Sequence, residues 1–220
     1  MTTRGETKIA GSGDPAYIAS SLMPSEESSN MVIFFGGYIG SGKTTLAKAI
    51  AEKIGIIDYE VDAVKKAVVA EDSQLQYYVR NNIPFPDEAR IKMFLRVVDD
   101  FERLCKTNKC IIVDETLHKK SLRGILYDGA RRYFGEYIVV WIQASEATIK
   151  ERLMSSQRVD HVLGDPYGMH LSLKKVFDDL DEADIVFENN GSITDAVEIL
   201  GRMIESKIAN ATTGSSSVKM

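Results

Sequence analysis

Apolar residues along this chain follow two periodicities. Continuous runs such as Met31-Val-Ile-Phe-Phe35, Cys110-Ile-Ile-Val113 and Tyr137-Ile-Val-Val-Trp-Ile142 read as strands buried on both faces. Between them, apolar positions recur every third or fourth residue. Ala89, Met93, Val97, Phe101 and Leu104 draw one stripe along a helix from Asp87 to about Lys106. The pattern predicts strands over 31–36, 56–61, 110–113, 137–142 and 185–187. It predicts helices over 45–54, 62–70, 87–106, 120–134, 146–155 and 171–180, with a last one running to about Lys207. Apolar strands alternating with helices imply an α/β domain, a five-stranded parallel sheet covered by helices on both faces. Such sheets bind ligands beyond the carboxyl ends of their strands.

The flanks lack this pattern. Residues 1–30 are polar and rich in turn formers, which predicts a flexible N-terminal arm, and 208–220 read as a disordered tail. The folded domain is therefore expected over 31–207.

Immediately after the first apolar run comes Gly37-Tyr-Ile-Gly-Ser-Gly-Lys-Thr44, which is G-x-x-x-x-G-K-[ST] between a strand and a helix, the context a phosphate-binding P-loop needs. Gly37, Gly40 and Gly42 let the backbone curl so that successive N–H groups face a phosphate, and the helix N-terminus adds partial positive charge. Gly37, Gly40, Ser41, Gly42, Lys43, Thr44 and Thr45 are the expected nucleotide-binding residues, with Lys43 reaching the β- and γ-phosphates and Thr44 ligating Mg²⁺. The domain is accordingly a three-layer P-loop nucleoside triphosphate hydrolase fold.

Other candidate chemistry also lies at strand ends. The run Ile111-Ile-Val113 ends in Asp114-Glu115, the pattern of a carboxylate that holds Mg²⁺ or its waters. Neighbouring strand residues face opposite ways, so only one of the pair is expected at the metal, and Asp114 is preferred. Asp62 follows the second strand. It suits a general base for an attacking hydroxyl and equally a helix N-cap. Lys65 and Lys66 beside it are either anion binders or a solvated pair. Arg152 and Arg158 sit where a helix gives way to a stretch with Gly164, Pro166 and Gly168, which predicts a lid at about 155–170. Both arginines are expected to neutralise charge on the transferring phosphoryl group; otherwise they are helix-surface residues.

Composition narrows the classes. Lys and Arg total 27 against 32 Asp and Glu, a formal net charge of −5, which argues against a dedicated nucleic-acid or anionic-membrane binder. No apolar run approaches the ~20 residues of a membrane span. Cys105 and Cys110 read as ordinary thiols in a reducing, cytoplasmic compartment rather than a disulfide framework. His118, His161 and His170 lack zinc-site spacing; His118, just past the third strand, is the one placed to touch substrate. A guanine-specific Asn-Lys-x-Asp is absent, and Gly11-Ser-Gly13 does not continue as a dinucleotide fingerprint.

Taken together, Gly37–Thr44, Asp62-Ala-Val-Lys65-Lys66, Ile111–Thr116 with Arg123 beyond it, Arg152 with Arg158, and Ala183–Ser192 resemble the small P-loop kinases. That group includes zeta toxins, chloramphenicol phosphotransferase, the kinase domain of polynucleotide kinase and adenylylsulfate kinase. The resemblance spans about 31–207. It implies ATP with Mg²⁺ and phosphoryl transfer to a hydroxyl of a small molecule or nucleotide, and it places the loop carrying Asn190 near the adenine base. Position 65 is Lys where the group has Arg, and 71–90 match no single member. Alternatives of the same core are a zeta-toxin-like or polynucleotide-end kinase; a non-catalytic nucleotide-dependent switch is an alternative of another class.

Overall fold

Strand β1 (Met31–Gly37) has every residue buried, as expected of a strand hydrogen-bonded on both edges and covered on both faces. In the computed structural model, which describes residues 30–81, 83–155 and 165–214, the chain continues as α1 (Lys43–Ile54), β2 (Ile57–Tyr59), α2 (Val61–Ala70), α3 (Ser73–Arg80) and α4 (Asp87–Leu104). Then come β3 (Cys110–Asp114), α5 (Lys120–Tyr133), β4 (Glu136–Gln143), α6 (Glu146–Ser155), α7 (Pro166–Lys174), β5 (Ile185–Glu188) and α8 (Ile193–Gly214). All pairings are parallel and the strand order is β2-β3-β1-β4-β5. The α/β class and five-stranded parallel sheet predicted from the sequence are those observed. Among the described residues no helix is long and apolar enough to cross a membrane.

Alternation along the strands builds two cores. Val32, Phe34, Ile111, Val113 and Val139 face α2 to α5, where Met93, Val97, Phe101 and Leu126 meet them. Ile33, Phe35, Ile112, Val140 and Ile142 face α1 and α8, against Leu46, Ile50, Leu200 and Ile204. With helices covering both sides, the opening is the edge where β1, β2 and β3 end in Gly37, Tyr59 and Asp114.

Some expected boundaries move. The second strand covers 57–59 rather than 56–61, because Val61 already belongs to a helix and is buried by it. Helix α3 was not expected; its start is set by Asp72, whose side chain accepts from the backbone N–H groups of Gln74 and Leu75. The helix expected over 171–180 is α7, which starts five residues earlier. Asp165 caps it through Gly168 N–H and Pro166 occupies its first turn. It ends at Lys174, and 175–184 run as an irregular strap. The last helix continues past Lys207 to Gly214. Residues 1–29 and the centre of the expected lid, 156–164, lie outside the described residues.

Helices α4 and α5 approach closely at Gly129. A Cβ there would lie 2.6 Å from Val98 Cγ2 and 2.9 Å from Val98 Cγ1. Gly129→Ala gains up to ~1 kcal/mol of helix propensity, but overpacking a buried contact costs ~1–3 kcal/mol. The clash is with a branched core side chain, so destabilisation wins. Thermal melts should show Gly129→Ala below wild type, and Val98→Ala should be less harmful in the Gly129→Ala background than in wild type. Additive losses would refute this packing account.

Candidate active site

The P-loop bridges β1 and α1. Gly42 forms the helix N-cap with a left-handed φ of 88° and makes no side-chain cap bond, and no acidic residue occupies the first turn of α1. Those unclaimed N–H groups, with the helix dipole behind them, constitute an anion site. Gly40 (φ 84°) is the second forced position, since a Cβ would press on Leu153 at 2.9 Å and Ile149 at 3.0 Å. Among the described residues, the Ser41 hydroxyl is buried without a partner. Tyr38, inside the loop, stands edge-on to Trp141, His170 and Phe177, with ring centroids 5.3, 5.7 and 4.8 Å away.

The loop is held from behind. Arg152, on α6, donates through Nη1 to the Ser41 carbonyl at 3.0 Å and through Nη2 to the Asn189 carbonyl at 2.9 Å. Asn189, buried at the end of β5, donates through Nδ2 to the same Ser41 carbonyl at 2.8 Å. A Cβ on Gly42 would run into that amide nitrogen. Arg152 thus bonds to the protein backbone of the loop. Its neighbour in the expectation, Arg158, lies outside the described residues. Asn190 is exposed and turns away: its Oδ1 accepts from Ser145 N–H at 2.8 Å and its Nδ2 donates to Glu188. The asparagine that meets the P-loop is Asn189, one residue earlier.

Two sets of carboxylates lie within electrostatic reach of Lys43, one containing Asp114 and the other Asp62. In the first set, Asp114 continues the α1-facing side of β3 and lies against the Thr44 hydroxyl. Burial raises its pKa, Lys43 and Thr44 pull it down, and nearby Glu115 and Asp62 add to the rise. Asp58, on β2 in register with Ile112, shares that face. Burial, then repulsion from Asp114, raises Asp58 too, with Lys48 opposing. Both carboxyls keep a buried Oδ1 without a hydrogen-bond partner. Two half-buried, mutually repelling carboxylates, each with one unsatisfied oxygen, beside a threonine hydroxyl are poor for stability and suited to a hard cation. No group of three or more His, Cys, Asp or Glu side chains forms a metal cage among the described residues. That agrees with Mg²⁺, which is bound by one or two carboxylates plus phosphates rather than by an all-protein cage. The residues present therefore fit the ion.

The second set lies across the loop. Glu115, 5% exposed, points to the opposite side of β3 from Asp114 and pairs with Lys65 on α2. Lys65 Nζ also bonds Asp62 at 3.1 Å. Asp62 is not the N-cap: Glu60 holds that place, and Asp62 sits in the first turn of α2 with its side chain largely exposed. Burial alone would raise its pKa, but Lys65, Lys43 and Lys66 outweigh it and hold Asp62 below the usual range, ionised at neutral pH. Asp58, Asn189 and the Lys65–Glu115 pair were absent from the sequence expectation. Asp58 had a signal, an apolar residue followed by Asp at a strand end, hidden by drawing the second strand too long.

Arg123 is fully buried and touches none of this. It donates to Glu182 at 2.6 Å, to the Leu117 carbonyl at 3.2 Å and to the carbonyls of Asp178 and Asp179, binding the strap to the turn after β3. Cys105 and Cys110 are free thiols.

No curated protein sequence matches the chain. Solved structures do. A sugar kinase from Janibacter sp. HTCC2649 is 20% identical with a TM-score of 0.62, covering 84% of this chain and 98% of that one. A gluconokinase from Sinorhizobium meliloti 1021 gives 20% and 0.62 over 86% and 97%. The Mycobacterium tuberculosis APS kinase in complex with AMPPNP and APS gives 14% and 0.54 over 81% and 99%. At these identities the likeness establishes the fold, that of P-loop kinases. The sequence itself matches, over residues 32–163, the profile of a family described as an AAA domain. With strand, phosphate loop and open helix N-terminus all inside that span, the chain belongs to this AAA-domain family and has the fold of the small P-loop kinases.

Proposed function

We propose that the protein is a kinase that transfers the γ-phosphoryl group of ATP to a hydroxyl of a small molecule or nucleotide. The observation that carries this reading is the open N-terminus of α1 at the P-loop, with no acidic residue in its first turn and with the unsatisfied Asp114 carboxylate near Lys43 and Thr44. Names of structures sharing the fold, gluconokinase and APS kinase among them, support a small acceptor. The N–H groups of residues 42–44 would bind phosphate oxygens, while the Ser41 N–H closes the loop on the Tyr38 carbonyl, and Lys43 would place its charge where negative charge moves. Thr44, Asp114 and Asp58 would hold Mg²⁺, which supplies charge neutralisation on the phosphates when bound. Asp62, kept ionised by three lysines, accepts the proton of the attacking hydroxyl. Arg152 fixes the loop in its binding shape, and Arg158 is assigned to the lid over the phosphates. Free cysteines fit a reducing, cytoplasmic setting.

Lys43→Ala should lower kcat by roughly 10²–10³, the scale for one preorganised electrostatic contact. The melting temperature should stay near wild type, because the side chain faces ligand. Asp62→Asn should depress kcat at saturating ATP and Mg²⁺ and remove the acid limb of the pH–rate profile. Steady-state ADP release checks both; wild-type turnover in folded Lys43→Ala protein would end the kinase reading.

Asp58 and Asp114 are raised in the folded state, so whatever stability they contribute is complete below the ordinary carboxylate pKa and is lost as pH rises through their folded values. Near neutrality they therefore cost stability until a cation joins them. The rise in melting temperature on adding MgCl₂ to the AMPPNP-bound protein should be larger at pH 8 than at pH 5. Asp114→Asn and Asp58→Asn should each melt higher than wild type without ligand at pH 8, by on the order of 2–4 °C for ~1 kcal/mol of relieved burial. Both should show a smaller Mg²⁺ response. Unchanged melting and an unchanged response would remove these carboxylates from the metal site.

A further inference from the structure

This inference rests on the kinase reading and concerns the acceptor. Ion pairs join the start of α2 to Glu115 and the start of α4 to Lys119, so these segments and residues 115–119 form one charged cluster on the Asp62 side of the site. Lys119 Nζ bonds both carboxylate oxygens of Asp87, at 2.6 and 2.7 Å, which clamps the start of α4 to the turn after β3. Arg90, three residues on from Asp87 and so on the same helix face, lies within electrostatic reach of both Asp87 and His118.

Charge in this cluster does not balance group by group. Glu115 and Asp62 are taken by Lys65, and Asp87 is taken by Lys119. Among the described residues, Arg90 has no carboxylate partner. Its Nε donates to the Phe85 carbonyl at 3.2 Å, which fixes the plane of a half-buried guanidinium and leaves its two NH₂ groups unassigned. Lys66 contributes a second cation without an ion-pair partner among the described residues. His118, 4% exposed, adds no charge of its own: burial first, then Arg90, pushes its pKa down to about 4, against a smaller opposing pull from Glu115. A neutral imidazole next to a fixed guanidinium offers one hydrogen bond to a hydroxyl and a two-pronged donor to an oxyanion.

We propose that the phosphoryl acceptor is an alcohol that also carries an oxyanionic group, carboxylate or phosphate, and that Arg90 receives this group while His118 bonds a neighbouring hydroxyl. A planar fork with its Nε already tied suits a carboxylate or phosphate edge, and among the described residues it forms no ion pair, its charge acting only at longer range on the Asp87 that Lys119 holds. A neutral polyol would leave it unpaired inside a closing site.

The test uses the full chain saturated with AMPPNP and MgCl₂, so that the P-loop is occupied and anions cannot report on it. D-gluconate is titrated against D-sorbitol, and D-glucose 6-phosphate against D-glucose, by calorimetry. The first pair probes a carboxylate and the second a phosphate. At least one anion should bind about 10–100-fold tighter than its neutral counterpart, the range for a charge-assisted hydrogen-bond pair. Arg90→Ala should erase that preference and Arg90→Lys should keep part of it. Arg96→Ala, on an exposed position of the same helix, should retain it in full. No preference in either pair, or a preference that survives Arg90→Ala, overturns the proposal. Failure of the wild type to bind AMPPNP would instead strike the kinase reading, whereas AMPPNP binding with unseparated pairs strikes the acceptor inference alone.

Discussion

The active site depends on the direction of one peptide group. For the P-loop N–H groups to point inward at a phosphate, the carbonyls between them must point outward, where they need donors of their own. The Ser41 carbonyl finds two, from Arg152 and from Asn189. These come from α6 and from the end of β5, elements more than a hundred residues downstream. The cradle is therefore a tertiary feature, although the residues that line it are contiguous. The same arrangement dictates Gly42, because any side chain there would displace the Asn189 amide.

Strand alternation sorts the charges around Lys43. Asp58 and Asp114 share the α1 side of the sheet, are poorly solvated and each keep one oxygen without a hydrogen-bond partner. Glu115 falls on the other side, where Lys65 neutralises it and a hydrogen bond continues to Asp62. Two adjacent residues, Asp114 and Glu115, thus enter different chemistries without any irregularity in the backbone. The left-over cations, Arg90 and Lys66, belong to the second region. Negative charge is accordingly left over on the α1 side of the sheet and positive charge on the other, with Lys43 within electrostatic reach of both sets of carboxylates.

Much of this was legible in the sequence because its determinants are local. The apolar run of β1, the glycine loop and the stripes of α4 and α5 depend on neighbours along the chain. Side-chain alternation alone said that Asp114 and Glu115 face opposite sides of the sheet. What failed was long-range or marginal. Strand β2 has three residues, too few for a periodicity to fix its end, so Asp58 went unnoticed. The contact of Asn189 with the P-loop was not foreseen, because only the docking of β5 beside β4 brings it there. Residues 175–180 looked helical, but a buried arginine about 55 residues upstream claims the carbonyls of Asp178 and Asp179.

The position of β1 at the centre of the sheet has a consequence for synthesis. Its two partner strands lie about 80 and 105 residues further along the chain. At ~5–20 residues per second, β1 leaves the ribosome on the order of 5–20 s before β4 can pair with it. During that interval Met31-Val-Ile-Phe-Phe35 is a wholly apolar segment with both edges bare, open to any other unpaired strand. The segment that later supports the phosphate cradle is thus also the nascent chain's chief hazard, and a chaperone that recognises short extended apolar sequences would find its main target there.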